Sequence, residues 1–354
     1  MPPTQDRPRV AVVGYGFAGR CFHTYLVSLA DQLQLSGVVT SRAEARDDIR
    51  QRFGVPTYDR FEAVLTDDQV DLVVLATPNH VHAPQAIAAL EAGKHVVVDK
   101  PMALDRAEAD RMIAAARGAG RLLTVFQNRR WDGDYLTVRR LLDDGTLGEL
   151  LTLELAWTQY GRPRGWRSEA AHGGGKLFDL GAHMIDQALQ LVPAPVERVY
   201  CRTHTGVWDT DVEDHAHCVL TFANGVDAHI VTSSAARQPR PRWTVQGSRA
   251  GLIKTGVDPQ ERAMIDGDID AAREAPEHRA RLWSDVDGQT AESVVETVPG
   301  RWRCFYENVA AALQGREELA VKPESVAAVM SVLDAARQSA ASGQAVALEG
   351  VSGP

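Results

Sequence analysis

Short, continuously apolar runs alternate with amphipathic stretches through the first third of the chain. Val10-Ala11-Val12-Val13 is the first run, and it predicts a parallel strand buried on both faces. Gly14-Tyr15-Gly16 interrupts it. Phe17, Cys21, Phe22, Tyr25, Leu26 and Leu29 then follow at helical spacing. A strand is expected over 34–40, and a helix over 43–53 that stops at Gly54 with Pro56 beyond. Residues 71–76, 95–98 and 122–126 read as further strands, and 80–91 and 105–117 as helices. Strands alternating with helices of this length predict βαβ units and a parallel sheet. Right-handed crossovers then line up the strand C-termini along one edge, where ligands bind.

The pattern changes after about Asn128. A helix is expected over 134–142, ended by Asp144-Gly145, then a long strand over 149–157. A polar loop rich in Arg and Gly follows over 158–174, and an amphipathic helix over 176–191. From 196 to about 255 the signal is β, with strands at 199–203, 216–222, 226–232 and 243–246. Asn224-Gly225 marks a hairpin turn between two of them. Residues 267–292 are polar and Ala-rich, and no element is assigned there. Helices over 301–313 and 323–336 close the chain. The expected fold is α/β: a parallel sheet over 1–127, then an α+β domain over 128–354 with a large, mostly antiparallel open sheet.

Composition narrows the function. The chain has 354 residues and 44% hydrophobic positions, enough for two ordinary cores. Lys and Arg number 38 against 47 Asp and Glu, a net charge of −9. That lacks the basic footprint of a nucleic-acid binder. Arg129-Arg130, Arg139-Arg140 and the stretch from Arg237 to Arg242 are diluted by acidic neighbours. Cys21, Cys201, Cys218 and Cys304 form no CxxC and read as reduced thiols of a cytoplasmic protein. Residues 1–9 are polar and Pro-rich without an apolar stretch, so no signal peptide is expected. No run approaches the ~18 apolar residues of a membrane span.

Gly14-x-Gly16-x-x-Gly19 lies between the first strand and the first helix. There the first Gly makes a tight turn, the second admits a pyrophosphate and the third lets helix and strand pack closely. The phosphates would rest on the helix N-terminus. An Asp or Glu at the end of the second strand would hold the ribose of NAD. This chain has Thr40-Ser41-Arg42, and the Ser41 hydroxyl and Arg42 guanidinium suit the 2′-phosphate of NADP. Glu44 keeps NAD open.

Several polar groups could react. Asp99-Lys100-Pro101 follows the fourth strand, where Lys100 could polarise a substrate oxygen or simply sit at a strand end. Asp179 and His183 share one face of their helix, preceded by Gly173-Gly174-Gly175. A His beside a carboxylate makes a general base near neutral pH. Two other readings compete, a helical surface contact and a pair of metal ligands, but no third ligand has matching spacing, so no metal is expected. Asp211, Glu213, Asp214, His215 and His217 read as the polar face of a strand whose other face is Ala216, Cys218, Leu220 and Phe222. Trp166-Arg167 could cap a nicotinamide, reach the phosphates or meet a second subunit.

Together these residues resemble the sugar and polyol oxidoreductases named for glucose-fructose oxidoreductase, inositol dehydrogenase and MocA (Gfo/Idh/MocA). The resemblance covers nearly the whole chain. It rests on Gly14-x-Gly16-x-x-Gly19, Thr77-Pro78-Asn79 with His80-x-His82, Gly93-Lys94-His95-Val96, Asp99-Lys100-Pro101, and Gly173-Gly174-Gly175 leading to Asp179-x-x-x-His183. Asp99 stands where the family usually has Glu, which keeps the charge and shortens the reach. Gly14-Tyr15-Gly16-Phe17-Ala18-Gly19 with Phe22-His23, Thr40-Ser41-Arg42, Asn128-Arg129-Arg130-Trp131-Asp132 and Leu177-Phe178-Asp179-Leu180-Gly181 are most similar to NADP-dependent scyllo-inositol dehydrogenases.

The resemblance implies a Rossmann domain and a second domain whose open sheet forms a subunit interface, giving a homodimer or homotetramer. It implies a nicotinamide near Thr77, Pro78, Asn79 and His82, with Phe17 and Ala18 in the glycine turn also touching the cofactor. Lys100, Asp179 and His183 would be the reacting groups. Asn128 and Arg129 would bind further substrate hydroxyls, and the Lys100–Pro101 bond would be cis. The expected activity is hydride transfer between a secondary hydroxyl of a cyclic polyol or sugar and NADP. Its rivals are the same chemistry on an aldose or anhydro-sugar, and a dinucleotide-binding sensor without turnover.

Overall fold

The structure, a computed structural model, describes residues 7–351 and 353. Most of the stretch on which the absence of a signal peptide was expected, residues 1–6, lies outside these. Six parallel strands form the first sheet: β1 (Arg9–Val13), β2 (Gln34–Val39), β3 (Thr57–Tyr58), β4 (Leu72–Leu75), β5 (His95–Val98) and β6 (Leu123–Val125). Their order is β3-β2-β1-β4-β5-β6. All four residues of β4 are buried, as the apolar runs predict for a doubly covered sheet.

Helices α1 (Thr24–Leu29), α2 (Ala43–Phe53), α3 (Phe61–Leu65), α4 (His82–Glu91) and α5 (Arg106–Ala119) connect these strands. A π-turn over Gly19–His23 leads into α1. Helix α2 stops at Gly54, where the left-handed φ of 68° suits glycine. Asp105 caps α5, its carboxylate accepting from the Glu108 amide at 2.8 Å. The pair β3 and α3 was not expected: two and five residues are too short to carry a readable period.

The second sheet has nine strands: β7 (Leu150–Thr158), β8 (Val196–His204), β9 (His215–Phe222), β10 (Asp227–Ser233), β11 (Trp243–Gly247), β12 (Ala250–Lys254), β13 (Ala280–Val286), β14 (Gln289–Val295) and β15 (Val346–Val351). The order is β14-β13-β12-β11-β7-β10-β9-β8-β15. Only β7 and β10 pair in parallel. Strand β9 alternates half-buried and buried residues along its whole length. Its buried face carries Ala216, Cys218, Leu220 and Phe222, as the sequence pattern implied. Cys201 and Cys218 meet across β8 and β9 as free thiols.

Helices α6 (Gly133–Asp143), α7 (Ala182–Leu191), α8 (Gln260–Ile265), α9 (Arg303–Leu313) and α10 (Pro323–Ser342) complete this half. Helix α10 packs on α5 as well as on β8 and β15, so one apolar core runs through both sheets. Phe305 of α9 meets Phe126 beyond β6 edge to face, with ring centres 4.9 Å apart. No helix among the described residues is long and apolar enough to cross a membrane.

The functional consequence lies at one edge. Gly14 follows β1, Ser41 and Arg42 follow β2, Thr77 follows β4, Lys100 follows β5, and Gln127 and Asn128 follow β6. Parallel strands thus deliver five separate sequence segments to a single crevice.

Candidate active site

The glycine turn fits a bound dinucleotide. Gly14 has φ of 96°, and a Cβ there would lie 2.5 Å from the Ala76 carbonyl oxygen. A Cβ on Gly19 would collide with the Gly14 carbonyl, whereas one on Gly16 would meet nothing within 4 Å. The first and third positions are therefore packed and the middle one is open, which is the division a pyrophosphate requires. Phe17 is exposed and Ala18 half-buried beside it. Past the end of β2, a 370 Å³ cavity is lined by Tyr15, Gly16, Phe17, Arg20, Arg42, Glu44, Ala45 and Asp48. Arg42 lies over the turn and donates to the Tyr15 carbonyl oxygen. Ser41 is exposed next to it.

Thr77, Pro78 and Asn79 form the loop after β4. Thr77 donates to Gln85 at 2.9 Å, and Asn79 donates to the Gly173 carbonyl at 2.8 Å, tying this loop to the glycine run before α7. His82 lies behind the loop rather than facing the crevice. It is fully buried, with Nδ1 2.9 Å from the Pro101 carbonyl oxygen and Nε2 2.9 Å from that of Thr77. Each ring nitrogen faces a backbone carbonyl, and the neutral ring can donate to only one of them, so His82 sits between two site loops. Burial lowers its pKa.

Lys100, Asp179 and His183 come together from β5 and from the π-turn (Leu177–Gly181) that enters α7. The Lys100–Pro101 bond is cis. The Lys100 ammonium donates to the Asp179 carbonyl oxygen and, at 3.1 Å, to its carboxylate. Lys176 donates to the other carboxylate oxygen at 3.1 Å, and Arg167 stands 3.8 Å away. Burial alone would raise the Asp179 pKa, but these three cations outweigh it and hold the carboxylate ionised.

His183 is buried, with Nδ1 3.0 Å from the Gln127 side-chain oxygen. Among the described residues Nε2 has no hydrogen-bond partner. Burial, reinforced by Lys100, Arg129 and Arg242, pushes its pKa well below the usual histidine value, against an opposing pull from Asp179. A neutral imidazole, an ammonium and a fixed carboxylate at one spot can take a proton and stabilise a developing negative oxygen.

These groups line a 290 Å³ cavity whose walls also include Phe17, Ala18, Phe22, Asp99, Asn128, Trp157, Gln159 and Glu261. Asn128 is buried and makes no side-chain hydrogen bond among the described residues. Arg129 faces the cavity but is already committed: to Asp132 at 3.2 Å, to Glu261 at 2.5 Å, and to the face of Trp157 at 4.3 Å. Its Nε is buried without a partner. Trp166 lies in a 3₁₀ turn with the Arg167 guanidinium 4.4 Å over its ring, and only Arg167 reaches the cavity wall. Asp99 lines the same cavity. Its carboxylate stops 3.7 Å from His23 Nε2, a buried nitrogen with no hydrogen-bond partner.

Gln127, Trp157, Gln159, Lys176 and Glu261 were not singled out in the sequence. Only Lys176 had a local signal, three residues before Asp179 on the same helical turn. Glu213, left to a strand face, instead accepts from the Leu177 amide at 2.7 Å and anchors the π-turn.

Residues 8–127 match the model of an oxidoreductase family with an NAD-binding Rossmann fold, and residues 135–253 match a GFO/IDH/MocA C-terminal domain. The chain is 34% identical over 346 residues to the uncharacterized oxidoreductase YdgJ of Escherichia coli, covering 95% of this chain and 97% of that one. It is 30% identical over 352 residues to the scyllo-inositol 2-dehydrogenase (NADP(+)) IolW of Bacillus subtilis, covering 97% of each. Among solved structures, the oxidoreductase yvaA of Bacillus subtilis superposes with a TM-score of 0.92 at 29% identity, covering 97% of this chain and 99% of that one.

Proposed function

The chain belongs to the Gfo/Idh/MocA family of oxidoreductases, and from that premise we propose that it transfers hydride between a secondary hydroxyl of a cyclic polyol or sugar, scyllo-inositol-like, and NADP. The observation that carries this reading is the meeting of Lys100, Asp179 and His183 beside the open glycine turn. The nicotinamide, when bound, supplies the hydride acceptor or donor.

The chain supplies the rest. His183 takes the hydroxyl proton on Nε2, its neutral form being favoured by burial. Lys100 stabilises the negative charge that develops on the same oxygen. Asp179 holds Lys100 and Lys176 in place. Asn128, with a free amide, binds a further hydroxyl, and Arg129 shapes the wall through Trp157 and Glu261. A site built to pair several hydroxyls rejects analogues that lack them, because its own polar groups would be left unpaired.

For the cofactor, Ser41 and Arg42 where a carboxylate would favour NAD support NADP. Gly14, Gly16, Phe17, Ala18 and Gly19 would hold the pyrophosphate. Thr77, Pro78, Asn79 and Arg167 would flank the nicotinamide, with Trp166 supporting Arg167. In this reading residues 1–127 bind the cofactor and 128–354 bind substrate. The outer face of the nine-stranded sheet, where Tyr200 is exposed, joins subunits in a homodimer or homotetramer. The free thiols suit the reducing cytoplasm.

Replacing His183 by Ala is expected to abolish turnover while NADPH still binds, as read by a nucleotide fluorescence titration. Equal loss of both would assign His183 a structural role.

A further inference from the structure

The polar group that touches His183 from behind is an uncharged amide. Gln127 follows β6 and is 1% exposed, and its Oε1 lies 3.0 Å from His183 Nδ1. An amide oxygen only accepts, so this contact requires the proton on Nδ1. The Nε2 lone pair then faces the cavity. Turned over, the amide would donate to Nδ1 and force the proton onto Nε2, which removes the base from the crevice. We propose that Gln127 is the positioning residue that sets the working tautomer of His183, a role that rests on the reading of His183 as the base.

Three further contacts hold the two residues in register. The Gln127 carbonyl accepts from the Arg130 amide at 3.1 Å. One helical turn beyond His183, Asp186 binds Arg130 through two hydrogen bonds of 2.8 and 2.6 Å. Gln187 donates to the Arg129 carbonyl at 2.8 Å. The helix that carries the base thus grips the turn that carries its partner. The one cost is the Gln127 amide nitrogen, buried without a hydrogen bond.

Asp179, the carboxylate near His183, is engaged by Lys100 and Lys176 instead. The other charged groups acting on the imidazole are Lys100, Arg129 and Arg242, all cationic. No carboxylate pairs with Nδ1 to stabilise the imidazolium. The amide fixes the ring's direction without making it a stronger base.

The test reads tautomers directly. In protein carrying ¹⁵N-labelled histidine, two-bond ¹H–¹⁵N correlations are recorded on the wild type, with His183 identified by the signals that H183A removes. At neutral pH the wild type should show His183 protonated on Nδ1 and bare on Nε2; a proton on Nε2 overturns the proposal. Q127E places a charge behind the ring and should raise the His183 pKa by about one to three units. An unchanged His183 titration in Q127E would also overturn it. Q127L should lose the single-tautomer signature while the other histidine signals stay in place. Because the readout needs no substrate, an absence of polyol turnover would defeat the functional reading and leave the tautomer result standing.

Discussion

The proposed preference for NADP turns on Arg42. It lines the 370 Å³ cavity past β2 together with Glu44, so a cation and a carboxylate compete for the ribose. A charge-assisted hydrogen bond to a 2′-phosphate contributes about 1.5–3 kcal/mol. Arg42→Ala should therefore raise the Kd for NADPH on the order of tenfold or more and leave that for NADH nearly unchanged. Equal weakening of both would place Arg42 outside 2′-phosphate recognition. Lys100, Asp179 and His183 drew attention because one follows a strand and the other two share a four-residue helical spacing, and the family resemblance is what joined them into one site. Gln127 was not, because its partner lies 56 positions away and nothing local marks it. His82 shows the converse: it sits in a recognisable motif, yet its burial and two backbone contacts make it a brace behind the site.

Helix α7 carries His183 and also locks the 128–131 turn. Arg130 and Asp186 are both buried and pair at 2.6 Å. Removing one partner of such a pair leaves a charge stranded in a poor dielectric. Asp186→Ala should cost about 3–5 kcal/mol in denaturant unfolding; a loss below 1 kcal/mol, a figure about the size of an exposed pair, would show that water reaches Arg130. The strands of the first sheet other than β3 were readable because continuous apolar runs have few alternative fates. The second sheet was readable where one face is buried, as in β9, and unreadable at its edge. Strand β14 exposes every residue except its last, half-buried one, so no hydrophobic alternation marks it and its strand character comes from pairing with β13. Strand β15 likewise exists by pairing with β8 after the chain leaves α10.

Across the molecule, five histidines are held towards the neutral form. His82, His183, His215 and His217 are shifted down and His95 is brought to about 4, burial being the largest cause in each. In the unfolded chain each would titrate near pH ~6.5. Below that pH the unfolded state binds protons that the folded state refuses, so stability falls as pH drops. Asp99 and Asp179, shifted down, add a further loss only at more acid pH, below about 4. Asp132, Glu213 and Asp258, shifted up mainly by burial, take up protons in the folded state and oppose this trend. With five histidines against three such carboxyls the thermal midpoint should decline between pH ~7 and ~5, and a flat profile would mean that the carboxyls offset the rings. Two sheets joined by one core, with five strand ends converging on the crevice that holds Lys100 and His183, are the scaffold on which the proposed hydride transfer rests. The most direct test is the absorbance of reduced nicotinamide when purified protein meets scyllo-inositol and myo-inositol, with NADP⁺ and NAD⁺ in parallel. Reduction of NADP⁺ by scyllo-inositol, in preference to NAD⁺, is the predicted result. Tight NADPH binding with no reduction by either inositol or by a wide panel of sugars would contradict it and leave a dinucleotide sensor in its place.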